Sequence, residues 1–141
     1  MEFFTTFKIV GSGLSAQRKK MDVITSNIAN MSTTSTPDGG PYKRKVMSFA
    51  VDPLEKGFDL NLKDAVSAVK VDKVTEEKDG FKKIYDPAHP DADKDGFVTL
   101  PNVNLMVEMT DLITASRAYE ANATAFDAMK SMAIKAMDIG K

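Results

Sequence analysis

The sequence predicts a mainly α-helical protein with a small β-rich insert, in which long N- and C-terminal helices pair as a coiled coil in an elongated molecule. Two observations carry this prediction: regular apolar stripes run through both terminal segments, and all six prolines lie between those segments. The predicted organisation is an N-terminal helix over residues 1–31, a loop and β-rich middle element over 32–101, and a C-terminal helix over 102–141 that pairs with the first.

The N-terminal segment carries an apolar stripe whose steps alternate between three and four residues, which is typical of a coiled-coil seam. The stripe consists of Phe3, Phe7, Val10, Leu14, Gln17, Met21, Ile24 and Ile28. Two interpretations of the polar Gln17 stay open: a buried amide that sets the register, or a partly exposed side chain. Gly11 and Gly13 each cost about 1 kcal/mol relative to alanine inside a helix, so we expect loose first turns until a partner packs on them.

The C-terminal segment repeats the pattern after Pro101. Asn102 or Asn104 is the expected N-cap, and Gly140 stands where the helix is expected to end. The second stripe consists of Leu105, Met109, Leu112, Ser116, Tyr119, Ala123 and Phe126. Alanines spread over the other faces of this helix, which predicts burial on more than one side.

Helices of this length predict an elongated subunit that associates with copies of itself. A helix over residues 3–31 would be about 43 Å long and one over 104–139 about 54 Å long. A compact globule of this chain length has a diameter of only roughly 37 Å. Because two helices cannot cover a wide apolar surface by themselves, neighbouring subunits are expected to cover it, in a filament or a ring.

The middle of the chain reads as short strands joined by turns. Residues 32–41 have a loop composition, and apolar residues alternate over 45–51 and over 58–62. The stretch 66–74 is rich in valine, and the turn signal at 78–80 precedes a further apolar pair. We expect three or four short strands that depend on the helices for stability.

Composition excludes several kinds of site. The chain has no cysteine and a single histidine, His89, which rules out disulfides, thiolate zinc sites and histidine-rich metal sites. A net charge of −1 gives no case for a nucleic-acid partner. The N-terminus lacks a basic region, and Lys8 interrupts its apolar run, so no cleaved signal peptide is expected. Nothing in the sequence predicts an enzyme, a cofactor or a small-molecule substrate.

Residues 91–96 match the first half of a calcium-binding loop, with three aspartates before a glycine. Asn102 stands where the bidentate glutamate of such a loop would be, and Pro87 and Pro90 prevent an entering helix. An ordinary acidic turn is therefore favoured over a metal site, and a calcium-binding module is kept as an alternative.

Two short basic clusters lie at residues 18–20 and 43–45. Because the whole chain is not basic, we interpret both clusters as solvated faces or as partners in ion pairs between subunits.

Two sets of residues resemble motifs of a known protein family. Residues 26–30 resemble the S-N-x-A-N motif of bacterial flagellar axial proteins, with Ser26, Asn27, Ala29 and Asn30 in the motif positions. A longer match begins at Tyr85 and resembles the FlgC type of rod protein; it includes Pro101, Asn102, Asn104, Glu108, Arg117, Tyr119 and Asn122. The resemblance covers essentially the whole chain and is weakest over residues 52–80.

The resemblance implies a structural subunit of the proximal rod of the flagellar basal body. It implies that the terminal helices polymerise into the hollow axial shaft that transmits torque and lines the export channel. The implied location is the periplasmic rod, reached through the type III export apparatus without a cleaved signal peptide. The implied partners are the protein itself, rod subunits of the FlgB, FlgF and FlgG types, and the FliE-type adaptor. A FlgB-type subunit and a generic coiled-coil adaptor remain as alternatives.

Overall fold

A computed structural model describes residues 2–53 and 67–139 of the chain. Two long helices flank a small β-rich insert, as predicted. The elements are α1 (Glu2–Ala29), β1 (Lys45–Pro53), β2 (Ser67–Glu76), β3 (Lys82–Tyr85), β4 (Phe97–Leu100) and α2 (Leu105–Ile139). The strand predicted over 58–62 lies outside the described residues.

A side-chain hydrogen bond caps the C-terminal end of α1, and another caps the N-terminal end of α2. At the end of α1, the Asn30 side chain donates to the backbone oxygen of Ser26 at 2.8 Å, which satisfies one of the last helical carbonyls. At the start of α2, the Asn104 side-chain oxygen accepts the backbone N–H of Met106 at 3.1 Å. Asn104, one of the two predicted candidates, is therefore the N-cap, and the helix begins at Leu105.

Among the described residues, the strands form two two-stranded sheets, one of β1 and β2 and one of β3 and β4. β3 and β4 pair antiparallel, with Lys82 opposite Leu100 and Tyr85 opposite Phe97. Within the turn between them, Asp86 donates its backbone N–H to the oxygen of Gly96 at 2.9 Å. The sequence did not predict β4, because four residues are too short to show a clear alternation of apolar and polar side chains.

The chain divides into two compact units, and each long helix contributes to both. Unit 1 contains residues 1–21, 48–73 and 114–141. Its buried hydrophobic side chains are mostly small: Ala16, Ala68, Ala115 and Met129. The helices approach closely here, since the Phe7 and Phe126 rings meet edge-on with centroids 5.0 Å apart.

Unit 2 contains residues 22–47 and 74–113. Its core is partly polar, because Asn27 and Glu108 are buried together with the apolar Ile24, Tyr42 and Val98. Buried polar side chains are costly unless their hydrogen-bonding groups are satisfied, so their partners decide whether this core is stable.

Candidate assembly site

The buried side chain of Asn27 connects the end of α1 to the start of β1 through hydrogen bonds. Its side-chain oxygen accepts the Tyr42 hydroxyl at 3.0 Å and the Lys45 backbone N–H at 2.9 Å. Its side-chain nitrogen donates to the Lys45 carbonyl at 2.9 Å and to a Glu108 oxygen at 3.0 Å. The amide thus makes all four of the hydrogen bonds that it can form. Two of them join it to the backbone N–H and carbonyl of Lys45, as the backbone of a neighbouring strand would.

Glu108 and Arg44 form an ion pair beside Asn27. Glu108 is fully buried in the first turn of α2, and one of its carboxylate oxygens accepts Arg44 Nε at 2.6 Å. The second oxygen accepts the Asn27 amide at 3.0 Å. The same guanidinium lies 3.4 Å from Glu77 and 3.7 Å from Asp111, both of which are more exposed. One arginine therefore connects a buried carboxylate to two surface carboxylates.

The charge environment of Arg44 favours its ionised form. Burial acts to lower the pKa of the guanidinium, but its hydrogen bond to Glu108 and the negative charges of Glu108 and Glu77 outweigh burial and raise the pKa above its ordinary value. A group whose pKa rises on folding stabilises the folded state, and this effect is lost only when the pH rises through the pKa of the group in the folded protein. For an arginine that pH range lies above the pH of ordinary protein experiments, so the Arg44 guanidinium remains charged in them.

Asn102 links the segment before β3 to Arg44 through hydrogen bonds. Its side-chain oxygen accepts the Arg44 backbone N–H at 2.8 Å. Its nitrogen donates to the carbonyls of Glu77 at 3.1 Å and of Asp79 at 2.7 Å. We call Asn27, Tyr42, Arg44, Asn102 and Glu108 the polar cluster. Its members come from four stretches of the chain, and all of them lie in unit 2.

Comparison with known proteins gives a consistent family. Residues 7–35 match the family model of flagella basal body rod proteins, and residues 94–139 match the C-terminal model of the flagellar basal body rod FlgEFG proteins. Flagellar basal-body rod protein FlgC of Borreliella burgdorferi is 46% identical, with 99% of this chain and 98% of the relative covered. The FlgC proteins of Bacillus subtilis and Salmonella typhimurium are 41% and 38% identical, each with both chains covered completely.

The chain belongs to the FlgC family of flagellar basal-body rod proteins. This result confirms the resemblance identified from the motifs at residues 26–30 and 85–130.

Within the FlgC-family chain, the predicted motif residues differ in where they lie. Asn27, Asn102 and Glu108 meet in the polar cluster, and the Ser26 hydroxyl lies 3.4 Å from that of Tyr42. Asn30 and Asn104 cap helices, and Pro101 is buried. Ala29 and Arg117 are exposed, whereas Tyr119 and Asn122 are half-buried. Tyr42 and Arg44 were not predicted as site residues, and residue 44 was considered as part of the basic cluster at 43–45.

The predicted seam is only partly covered within one chain. Ile24 is buried; Phe7, Val10, Leu14, Gln17, Met21, Ile28, Leu112, Tyr119 and Phe126 are half-buried. Leu105 and Met109 are 37% and 47% exposed, so they do not lie in the buried core of unit 2. The side chain of Phe3 lies outside the described part. A role of these residues in contacts between subunits stays a prediction.

The close approach of the helices in unit 1 involves small residues as well as the predicted seam residues Phe7 and Phe126. A Cβ atom built on Gly13 would lie 3.2 Å from the Asn122 amide nitrogen, and the buried alanines Ala16 and Ala115 follow on the two helices. Small side chains allow two helix backbones to approach closely. The buried side-chain oxygen of Gln17 accepts no hydrogen bond from any described residue.

The second basic cluster makes contacts within the chain. Lys43 lies 3.9 Å from Glu76, and Arg44 forms the ion pairs already described. The interpretation of residues 43–45 as a solvated face or as partners in ion pairs between subunits is therefore wrong for Arg44, whose partner Glu108 is buried in the same chain, whereas the Lys43 side chain is 42% exposed. The reason is the fold, which places β1 beside acidic residues far away in the sequence.

The acidic turn has a structural explanation. The Asp93 carboxylate accepts the backbone N–H groups of Asp95 and Phe97 at 3.0 and 2.9 Å, which closes the turn before β4. Over residues 2–53 and 67–139, no group of three potential metal-ligating side chains is found. Neither helix, as far as it is described, has a stretch long and apolar enough to cross a membrane.

Proposed function

We propose that this FlgC-family chain is a structural subunit of the proximal rod, that it polymerises through its terminal helices, and that it has neither a catalytic site nor a cofactor. One observation carries the proposal beyond family membership: large apolar side chains remain exposed on the helices, whereas the buried hydrophobic side chains of unit 1 are mostly small. A monomeric protein rarely exposes contiguous apolar surface of this kind, and copies of the subunit would cover it.

The first turns of α2 illustrate the exposed surface best. Met106, Met109 and Ile113 are 72%, 47% and 54% exposed. Their spacing of three and four residues places them on one face of the helix. We call these three residues the α2 apolar face. Burying such side chains in an assembly would contribute roughly 1.5–3 kcal/mol each.

We also propose that α1 and α2 pair side by side as a coiled coil. The ring contact between Phe7 and Phe126 and the approach of Gly13 to Asn122 support this pairing in unit 1. The hydrogen bond between Asn27 and Glu108 supports it in unit 2. The polar cluster would then set the register, because sliding either helix by one turn breaks that bond and leaves two buried groups without partners.

The family resemblance supports the finer assignments. The partners would be further copies of this chain, rod subunits of the FlgB, FlgF and FlgG types and the FliE-type adaptor. The subunit would pass through the type III export apparatus without a cleaved signal peptide and join the periplasmic part of the rod.

Assembly would complete the folding of the terminal helices. The buried hydrophobic side chains of unit 1 are mostly alanines, which contribute little burial energy to offset the entropy of ordering two long helices. We expect low helicity in the dilute monomer and a gain of helix on polymerisation, measured by circular dichroism. Full helicity in a strict monomer would contradict this mechanism.

Genetic complementation tests the proposed function. In a motile bacterium that lacks its own FlgC-family gene, the wild-type chain should restore rods and swimming. Met109→Asp and Ile113→Asp should each abolish both, because a carboxylate would have to be buried between subunits. Ser131→Asp, which adds the same charge at an exposed polar position of α2, is the matched control and should swim.

Two outcomes would contradict the proposal. One is a wild-type chain that is produced at normal levels but does not enter basal bodies. The other is an α2 apolar-face variant that builds rods as efficiently as the Ser131→Asp control.

A further inference from the structure

Three aspartates of unit 2 directly precede a glycine: Asp38, Asp79 and Asp95. Because glycine has no Cβ atom, its nitrogen can approach the carboxyl carbon of the preceding side chain, and such a bond can rearrange to isoaspartate. The sequence alone does not distinguish the three bonds. Their environments differ in solvent exposure and in the hydrogen bonding of the glycine N–H.

The rearrangement to isoaspartate needs no reactant besides water. The glycine nitrogen attacks the side-chain carboxyl carbon, a C–N bond forms, the nitrogen loses its proton, and the hydroxyl of the carboxyl group leaves as water. A second water molecule then adds to the backbone carbonyl carbon of the five-membered imide and breaks its bond to the nitrogen. The chain is now connected through the side chain. The product has the composition of the original chain, one more carbon atom in its backbone, and a free carboxylate in place of the backbone carbonyl.

Two of the three bonds lie in turns that engage the glycine nitrogen. Gly39 donates its N–H to the oxygen of Thr36 at 2.9 Å. Gly96 donates its N–H to the oxygen of Asp93 at 3.0 Å and is buried as well. At both positions the nitrogen must give up a hydrogen bond before it can attack, and at Gly96 burial also restricts the access of water.

The bond between Asp79 and Gly80 lacks these restraints. It lies in the segment between β2 and β3, where both residues are exposed. The Gly80 N–H donates to no described residue, and the Asp79 carboxylate forms no ion pair with a described cation. The carboxyl group can therefore turn towards the nitrogen without breaking a contact.

The backbone carbonyl of Asp79 connects this bond to the polar cluster. It accepts the Asn102 side-chain nitrogen at 2.7 Å, and the Asn102 oxygen accepts the Arg44 backbone N–H at 2.8 Å. Isoaspartate formation converts that carbonyl into a carboxylate outside the backbone and lengthens the segment between β2 and β3. Asn102 would then lose the acceptor that holds its amide in place, and its bond to Arg44 would weaken.

From these contacts we infer that the bond between Asp79 and Gly80 is a site of spontaneous isoaspartate formation in the folded protein, in preference to the other two aspartyl–glycyl bonds. Its conversion loosens the polar cluster at Asn102. The inference concerns unit 2 alone and does not depend on the proposed function in the rod.

Ageing of the full chain at neutral pH tests the preference among the three bonds. After denaturation, endoproteinase Asp-N cuts before aspartate and not before isoaspartate, so the loss of each cut reports one site. The cut before Asp79 should be lost about two- to tenfold faster than the cut before Asp38, because the latter reaction must first break the Gly39 hydrogen bond. The cut before Asp95 should be lost most slowly.

Ageing in concentrated urea separates the structural cause from the local sequence. The unfolded chain has no turn hydrogen bonds and no buried glycine, so the preference for Asp79 should disappear there. Equal rates at the three sites in the folded chain would overturn the inference. The same preference in urea would do so too, because the cause would then lie in the neighbouring residues.

Hydrogen–deuterium exchange of the Arg44 amide tests the effect on the polar cluster. In aged wild-type chain, a population equal to the converted fraction should exchange this amide about two- to tenfold faster than fresh chain. Asp79→Glu is the matched control, since it keeps the charge at an exposed position but would have to form a six-membered imide. Its Arg44 amide should exchange equally before and after ageing. An unchanged Arg44 amide in converted wild-type chain, or the same loss of protection in the control, would overturn the link to Asn102.

Discussion

Removing Glu108 tests whether the polar cluster holds unit 2 together. Glu108→Ala leaves the Asn27 amide with a buried hydrogen and no acceptor at 1% exposure, a cost of about 1–3 kcal/mol. It also removes the 2.6 Å charge-assisted bond from Arg44, a further loss of about 1.5–3 kcal/mol. Since Arg44 retains Glu77 and Asp111, we expect a total near 3–4 kcal/mol, within the range of about 3–5 kcal/mol for breaking a buried ion pair.

Urea unfolding followed by far-ultraviolet circular dichroism measures this loss. Asp111→Asn is the matched control, because its carboxylate lies 3.7 Å from the same guanidinium at a 43% exposed position. We expect the control to stay within about 0.5 kcal/mol of the wild type. Arg44→Met combined with Glu108→Leu removes both charges together and should cost about 1–3 kcal/mol less than the two single changes added. A Glu108→Ala variant as stable as the control, or strict additivity, would refute the reasoning.

Two further predictions concern glycines. Gly96 has a φ of +79°, and a Cβ built there would lie 2.9 Å from the Tyr85 ring; Gly39 has a φ of +87° but meets no described atom within 4 Å. Gly39→Ala should therefore cost only backbone strain of about 1–2 kcal/mol, whereas Gly96→Ala should cost clearly more in urea unfolding. Equal losses would contradict the steric argument. Gly11→Ala should raise helix stability by up to about 1 kcal/mol in thermal melts, whereas Gly13→Ala should gain less because its Cβ would crowd an α2 amide at 3.2 Å. An equal gain at both glycines would show that the helices do not approach closely there.

The helices were predictable because their signals are local and long. Stripes with steps of three and four residues persisted over about six to seven turns, and proline and asparagine marked the start of α2. The end of α1 at Ala29 differs from the predicted boundary at residue 31 by two residues, whereas α2 starts directly after the predicted cap Asn104. Boundaries depend on which side chain caps the helix, and that choice was made by the hydrogen bond from Asn104.

The polar cluster was only partly predictable. Asn27, Asn102 and Glu108 were selected by their resemblance to a motif, and no local pattern indicated that they would meet. Arg44 was interpreted as part of a surface basic cluster, whereas its guanidinium contacts a carboxylate 64 positions away. A charged residue beside the start of a strand can lie on the surface or form a buried ion pair, and the local sequence does not distinguish the two.

The sequence by itself determined two long helices with apolar stripes, a β-rich insert between them and membership of a rod-protein family, because helical periodicity and motif spacing are properties of neighbouring residues. Only the tertiary structure decided which asparagines cap the helices, which asparagines join the polar cluster, and where the buried ion pair forms. Those outcomes depend on contacts between residues distant in the chain, such as the hydrogen bond from Asn27 to Glu108, which lies 81 positions away.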